Sequence, residues 1–245
     1  MTGKTIVVLG CLYASASGLS AYGQRFEPGS PALFQGSTRI GWGAGLFGGW
    51  DRRRFSDGED SLRLDLQRIR VRFSVDALPG TDLWVEGGAT ECQVSDLTKD
   101  WGTEWALGAD LYVFEHPIRS SPVTGRREWI GLNLTGSTRR TRVDYDDTDL
   151  QWREWRMGAV ARYGRKEDPE TALRLFSTMG QSFRVGLVRS RVRGEYGPDR
   201  LRQSSRLGFL LGADVLWPSD WVMRMEALAV GSGNQELTLA VSRYF

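Results

Sequence analysis

Along most of the chain, apolar and polar residues alternate with a period of two, the repeat of a β-strand whose side chains point to opposite faces. In the clearest stretch Ile69, Val71, Phe73, Val75 and Ala77 form one face, and Arg70, Arg72, Ser74 and Asp76 the other. Leu62, Leu64 and Leu66 are one residue out of phase with that apolar set, which predicts a bulge near Gln67 and Arg68. Ten alternating segments can be read, at about 37–49, 66–78, 82–93, 103–115, 127–138, 152–164, 181–193, 204–217, 220–230 and 234–245. Long polar connections, at 50–61, 94–102, 139–151 and 194–203, take turns with tighter ones such as Pro79-Gly80-Thr81-Asp82 and Pro218-Ser219-Asp220. The last two strands meet at the short 231–234 turn, and His116 to Arg126 is longer than a tight turn. Asp168, Pro169 and Gly180 suit the N-cap, first turn and C-cap of a short helix that would carry Leu173, Phe176 and Met179 on one face.

Loops sorted by length to two ends are the layout of an up-and-down β-barrel that spans a membrane. No segment after the N-terminus is apolar enough for a spanning helix. The expected fold is therefore all-β: a closed, antiparallel, up-and-down transmembrane barrel of ten strands, with eight or twelve as the alternatives. In such a barrel the apolar face meets lipid and the polar face fills the lumen. The polar faces carry seven arginines (Arg70, Arg72, Arg156, Arg162, Arg184, Arg206 and Arg224) and seven carboxylates (Asp76, Glu86, Glu104, Asp110, Asp214, Glu226 and Glu236). Matched numbers allow bidentate pairing inside a narrow lumen, although desolvation offsets much of the attraction. The apolar faces include Leu83, Val85, Leu107, Leu111, Ile130, Leu134, Leu207, Phe209, Met223 and Met225. Trp50, Trp101, Trp105, Trp129, Trp152, Trp155, Tyr163, Trp217 and Trp221 stand at strand ends, as an interfacial girdle would.

The first 21 residues read as an export signal: Lys4, an apolar run from Ile6 to Tyr13, then small residues at Ala14-Ser15-Ala16 and at Ala21. The expected organisation is a signal peptide (1–21), a periplasmic segment (22–36) and the barrel (37–245). Removal of the signal takes Cys11 with it and leaves Cys92 without a disulfide partner.

The final strand, Leu237 to Phe245, alternates and ends on Tyr244-Phe245. With the export signal and girdle, it resembles bacterial outer-membrane β-barrels of the small OmpA/OmpX type, in which a C-terminal aromatic strand is the assembly signal. Arg243 departs from that pattern, standing where a second aromatic often occurs. The resemblance implies a bacterial outer-membrane location, Tyr244 and Phe245 as the assembly signal, and the barrel-assembly machinery as a partner.

Charge and composition narrow the chemistry. Among 245 residues, 32 basic and 30 acidic side chains leave a net charge of +2, so no global field steers nucleic acid. One histidine and two cysteines exclude most zinc sites. The run Gly43-Ala44-Gly45-Leu46-Phe47-Gly48 matches a dinucleotide fingerprint but precedes a basic stretch rather than a helix. Its better reading is small lumen residues, with Gly41, making room for large neighbours. His116 has no second histidine to work with, so no catalytic set forms. Asp144, Asp146, Asp147 and Asp149 lack the glycine and terminal glutamate of a calcium loop. No cofactor, metal or enzymatic activity is expected. Arg52, Arg53 and Arg54, with Arg139, Arg140 and Arg142, are expected on external loops where they could meet lipopolysaccharide phosphates. The leading functional expectation is a structural or surface-recognition barrel acting through external loops and contacting outer-membrane lipid. A narrow selective pore and a soluble periplasmic lipocalin-like carrier are its rivals.

Overall fold

The computed structural model describes residues 42–57, 60–78, 81–94, 99–120, 127–145, 148–166, 180–217, 221–231 and 233–245. Ten strands form: β1 (Trp42–Asp57), β2 (Asp60–Leu78), β3 (Thr81–Val94), β4 (Lys99–Ser120), β5 (Arg127–Tyr145), β6 (Thr148–Lys166), β7 (Gly180–Tyr196), β8 (Asp199–Trp217), β9 (Trp221–Val230) and β10 (Asn234–Tyr244). Each pairs antiparallel with its neighbours in sequence, and β1 with β10, closing an up-and-down barrel. Phe245 fastens the seam: its N–H donates to the Trp42 carbonyl (2.8 Å) and its ring stacks on that of Trp42, centroids 4.3 Å apart. The export signal, Cys11, Gly41, the periplasmic segment and the helix expected over 168–180, apart from Gly180 itself, lie outside the described residues.

The side chains settle which face is which. Ile69 and Phe73 are about half exposed on the outside, whereas Arg70 is buried within. Leu83, Val85, Leu107, Leu111, Ile130, Leu134, Leu207, Phe209, Met223 and Met225 all face outward too. This outward apolar band with a polar interior is the arrangement hydrocarbon demands.

Three expectations need correction. The four long polar loops are mostly strand: β1 and β2 run to Asp57 and from Asp60, β3 and β4 to Val94 and from Lys99, β5 and β6 to Tyr145 and from Thr148, and β7 and β8 to Tyr196 and from Asp199. A membrane crossing takes about 9–11 residues, but β5 and β6 have 19 each. At roughly 3.3 Å per residue and a 40° tilt they rise about 48 Å against an apolar band of about 25 Å. Roughly half of each projects beyond the bilayer.

Second, no bulge occurs at Gln67–Arg68: β2 keeps one register with β1 throughout and with β3 from Leu64 to Asp76. Leu64 and Leu66 point inward on the same face as Arg68 and Arg70. The strand does not change phase; its surroundings do. Beyond the bilayer water replaces lipid outside, so the apolar face moves inside, as in a soluble barrel. Register shifts occur instead at Asp76/Leu78, Tyr112/Phe114, Pro117/Arg119 and Ser190/Val192.

Third, the aromatics do not all form a girdle. Trp101, Trp105, Trp155, Tyr163 and Trp221 are exposed, but Trp152 and Trp129 are buried inside. Trp129 packs so tightly on Gly164 that a Cβ there would lie 2.0 Å from its ring.

The projecting half, here termed distal, has its own core: Phe55, Leu64, Leu66, Cys92, Val94, Val143, Leu150, Trp152, Val192 and Leu201, all essentially inaccessible. Fewer strands enclose it. Gly231 and Gly233 adopt φ of 57° and 99°, conformations that glycine takes without strain, and turn the chain early between β9 and β10. Above that short hairpin β1 meets β8 directly, at Ser56–Arg202. Eight strands leave an interior just wide enough for side chains to fill.

Candidate functional site: an ion-paired lumen beneath an apolar plug

Below the distal core, period-two alternation aims long charged side chains from both walls into the lumen. They link into a closed circuit. Asp51 Oδ2 receives the Arg53 Nε (2.6 Å) and lies 2.8 Å from Arg68 Nη1. Arg68 Nε lies 3.0 Å from Glu104 Oε2, which also accepts from the Thr141 hydroxyl at 2.9 Å. Glu104 Oε1 lies 3.5 Å from Arg139 Nε, and Arg139 Nη1 donates to Glu236 at 3.3 Å. Glu236 pairs with Arg156, whose Nε donates to Glu154 at 2.7 Å. Glu154 accepts from the Ser190 hydroxyl (2.7 Å) and from Arg53 Nη2 (2.6 Å), returning to Asp51. Four carboxylates and four guanidiniums thus alternate around a ring fed by β1, β2, β4, β5, β6 and β10. Unlike a strand ladder, the ring ties opposite walls: Arg53 and Glu154 are 101 residues apart in sequence.

The ring is not uniformly well made. Arg68 sits at ion-pair distance from its partners, yet none of its nitrogens makes a hydrogen bond of good geometry. Arg53 and Arg156 do. A branch runs from Arg70 Nη1 to Glu86 Oε2 (2.8 Å) and from Arg72 Nε to Glu86 Oε1 (2.7 Å). The Arg72 guanidinium lies between the Trp84 and Phe47 rings, 4.1 and 4.3 Å from their centroids. Gly108 and Gly45 make room for those rings: a Cβ would come within 2.3 Å of Trp84 and 3.1 Å of Phe47.

A second cluster lies nearer the end that carries Phe245. Asp214 accepts from Arg224 Nε (2.9 Å), Arg184 Nη2 (3.2 Å), Arg162 Nη2 (3.4 Å) and the Ser182 hydroxyl (2.9 Å). Arg184 also pairs with Glu226 at 3.1 Å. A cavity of about 150 Å³ runs between this cluster and the ring: Asp76, Asp82, Asp110, Tyr112 and Arg184 line it at one end and Arg139, Arg156 and Glu236 at the other, with Val160, Val188, Leu210 and Leu228 on an apolar wall.

Of the residues singled out from the sequence, the structure brings Arg70, Arg72, Glu86, Glu104, Arg156 and Glu236 to the ring and its branch, and Arg162, Arg184, Asp214, Arg224 and Glu226 to the second cluster. Asp76 and Asp110 line the cavity, and Arg206 lies beside the 231–233 turn. The sequence reading missed Asp51, Arg53, Arg68, Arg139 and Glu154. Arg53 and Arg139 were expected outside, facing lipid phosphates; both are buried ring members. Strict alternation from Arg70 to Arg68, from Ser137 to Arg139 and from Arg156 to Glu154 finds three of them; Asp51 and Arg53 lie past the end of the segment read at 37–49.

The site offers ion pairs and little else chemically. Paired guanidiniums and carboxylates neutralise one another and hold geometry. His116 is exposed on β4 with its ring 6.3 Å from that of Phe114. No cluster of three or more potential metal ligands occurs among the described residues.

Fold and lumen together define a class: a transmembrane β-barrel, apolar outside and ion-paired within. No family model matches the chain, and no curated protein matches its sequence. Solved structures similar to it include the transport unit of the autotransporter AIDA-I from Escherichia coli (11% identity, 87% of this chain and 92% of that one, TM-score 0.43). Others are the translocator domain of the autotransporter NalP from Neisseria meningitidis (13%, 98% and 96%, 0.41) and the attachment invasion locus protein Ail of Yersinia pestis (8%, 84% and 99%, 0.26). At these TM-scores the likeness adds nothing to what the strand pairing itself shows.

Proposed function

We propose that this protein is a bacterial outer-membrane barrel whose lumen is filled and whose work is done on its outer surface and projecting hairpins, in a structural or surface-recognition role without enzymatic activity. The end carrying Phe245 would face the periplasm and the distal half the exterior. The observation that carries this reading is the inversion of polarity along single strands, exemplified by β2: Leu64 and Leu66 inside where Arg63 is outside, then Arg68 and Arg70 inside where Ile69 and Phe73 are outside. A soluble lipocalin-like carrier has no use for an outward apolar band beneath a polar one.

Two successive obstructions oppose conduction, an apolar core within eight strands and then the ion-paired ring. The expected result is heat-modifiable migration on a gel, the mark of a closed barrel, together with no steady conductance in planar bilayers. Partition into the aqueous phase without detergent would sink the membrane reading, and a stable single-channel current the filled-lumen reading. The cavity between the ring and the Asp214 cluster favours the rival narrow pore, which the same recording tests.

Phe245 has a further role in this proposal, as the residue that the barrel-assembly machinery recognises with Tyr244. Phe245→Ala should reduce the assembled form in cells while the purified variant still folds in detergent. Equal loss in both settings would reduce Phe245 to a clasp on Trp42.

A further inference from the structure

The outer face of β5–β7 carries arginines where a strand pair ordinarily avoids them. Arg140 stands directly opposite Arg153, and Arg153 directly opposite Arg193. All three are exposed. Like charges opposed across strands are destabilising. Nearby Arg142 is neutralised by Asp149 at 3.0 Å, and Arg140 donates to Gln151. Arg153 and Arg193, by contrast, have no acidic partner among the described residues. The row lies at a boundary: Trp105 is opposite Arg140, and Trp155 is opposite Arg191 and 5.7 Å beneath the Arg153 guanidinium. Immediately below, Met157 and Leu207, 72% and 60% exposed, flank Arg189, the last outward arginine of β7 before Leu187, Val185 and Phe183.

We propose that Arg140, Arg153 and Arg193 form a binding site for the phosphate groups of an outer-leaflet glycolipid, with its acyl chains running down over Met157 and Leu207. The inference rests on the outer-membrane reading above. Guanidiniums recognise phosphate bidentately, and an anion between them turns a repulsive row into an attractive one. A free soluble anion could use the same guanidiniums, but the continuity of the row with an apolar lipid face favours an amphiphile. Of the clusters expected from sequence the site keeps Arg140 alone; Arg53 and Arg139 face the lumen, and Arg153 and Arg193 take their place.

The test uses the full chain in phosphatidylcholine nanodiscs, with native mass spectrometry as the readout of bound lipid. The probes are diphosphorylated lipid A, the same lipid with both phosphates removed, and soluble inositol hexakisphosphate as competitor. Lipid A should bind at least ten-fold more weakly to Arg153→Gln/Arg193→Gln, and dephosphorylated lipid should bind the native chain no better than it binds that variant. Arg63→Gln, on the opposite wall, should leave binding unchanged. Both variants should keep heat-modifiable migration. Undiminished lipid A binding by a folded Arg153/Arg193 variant, equal binding of the dephosphorylated lipid, or complete competition by the soluble polyphosphate at equal concentration would each overturn the proposal. Loss of heat-modifiable migration in the native chain would instead overturn the membrane reading itself.

Discussion

Glu154 is where single-residue chemistry weighs most. It accepts from Arg53, Arg156 and Ser190 at 2.6–2.7 Å in a site from which solvent is excluded. A buried ion pair adds little over an apolar pair of the same shape, because desolvation offsets attraction, but a buried charge stripped of its partner is expensive. Glu154→Ala should therefore destabilise the barrel by roughly 3–5 kcal/mol in urea unfolding from lipid. Arg53→Met/Glu154→Met should lose less than the sum of its single variants, since it removes both charges. Strict additivity would mean that the two side chains do not interact. Arg68, poorly hydrogen-bonded though buried, should tolerate replacement by methionine better than Arg53. Much of this chemistry was legible in the sequence as alternating polar residues within clear strands. Asp51, Arg53 and Arg139 are not, because a run such as Arg52-Arg53-Arg54 looks like a solvated loop when its strand is judged to end before it; Glu154, in phase with Arg156 inside the 152–164 segment, is legible by alternation alone.

At the scale of the element, each long strand behaves as two strands joined without a break. The pleat keeps the same residues inward along its whole length, while the medium outside changes from hydrocarbon to water. A rule that assigns apolar residues to a single face therefore reads a bulge where none exists. The two halves should differ in stability. Cys92 is a native reporter of the distal one, inaccessible in the apolar core beside Leu64 and Leu66. In a Cys11→Ser background, maleimide should label Cys92 slowly in the folded barrel. Phe55→Ala, which opens a cavity worth about 3–5 kcal/mol, should speed labelling while heat-modifiable migration persists. Unchanged labelling would show that the distal core does not open independently. The connections are the counterpoint: the sequence reads His116 to Arg126 as longer than a tight turn, whereas β4 continues to Ser120, and both 121–126 and the helix expected over 168–180, up to 179, lie outside the described residues.

For the molecule as a whole, closure and filling go together. Ten strands surround the ion-paired ring; eight surround the apolar core, because β9 and β10 turn back at Gly231 and Gly233. Lengthening that hairpin should widen the distal half and leave the core underpacked. Inserting two alternating residues into each of β9 and β10 beside the turn should raise Cys92 labelling more than the same insertion in the β5–β6 hairpin. The reverse order would argue against closure by β1 and β8.

The sequence by itself determined the alternating strands, their up-and-down order and the outward direction of the apolar band, and left the count at ten with eight or twelve open, because period two and turn residues are local properties written into consecutive positions. Only the tertiary structure decided how far the strands continue, which charges meet across the lumen and what closes the distal end. Those outcomes depend on contacts between residues a hundred positions apart and on the medium outside each segment of strand, and neither is encoded in the spacing of neighbours.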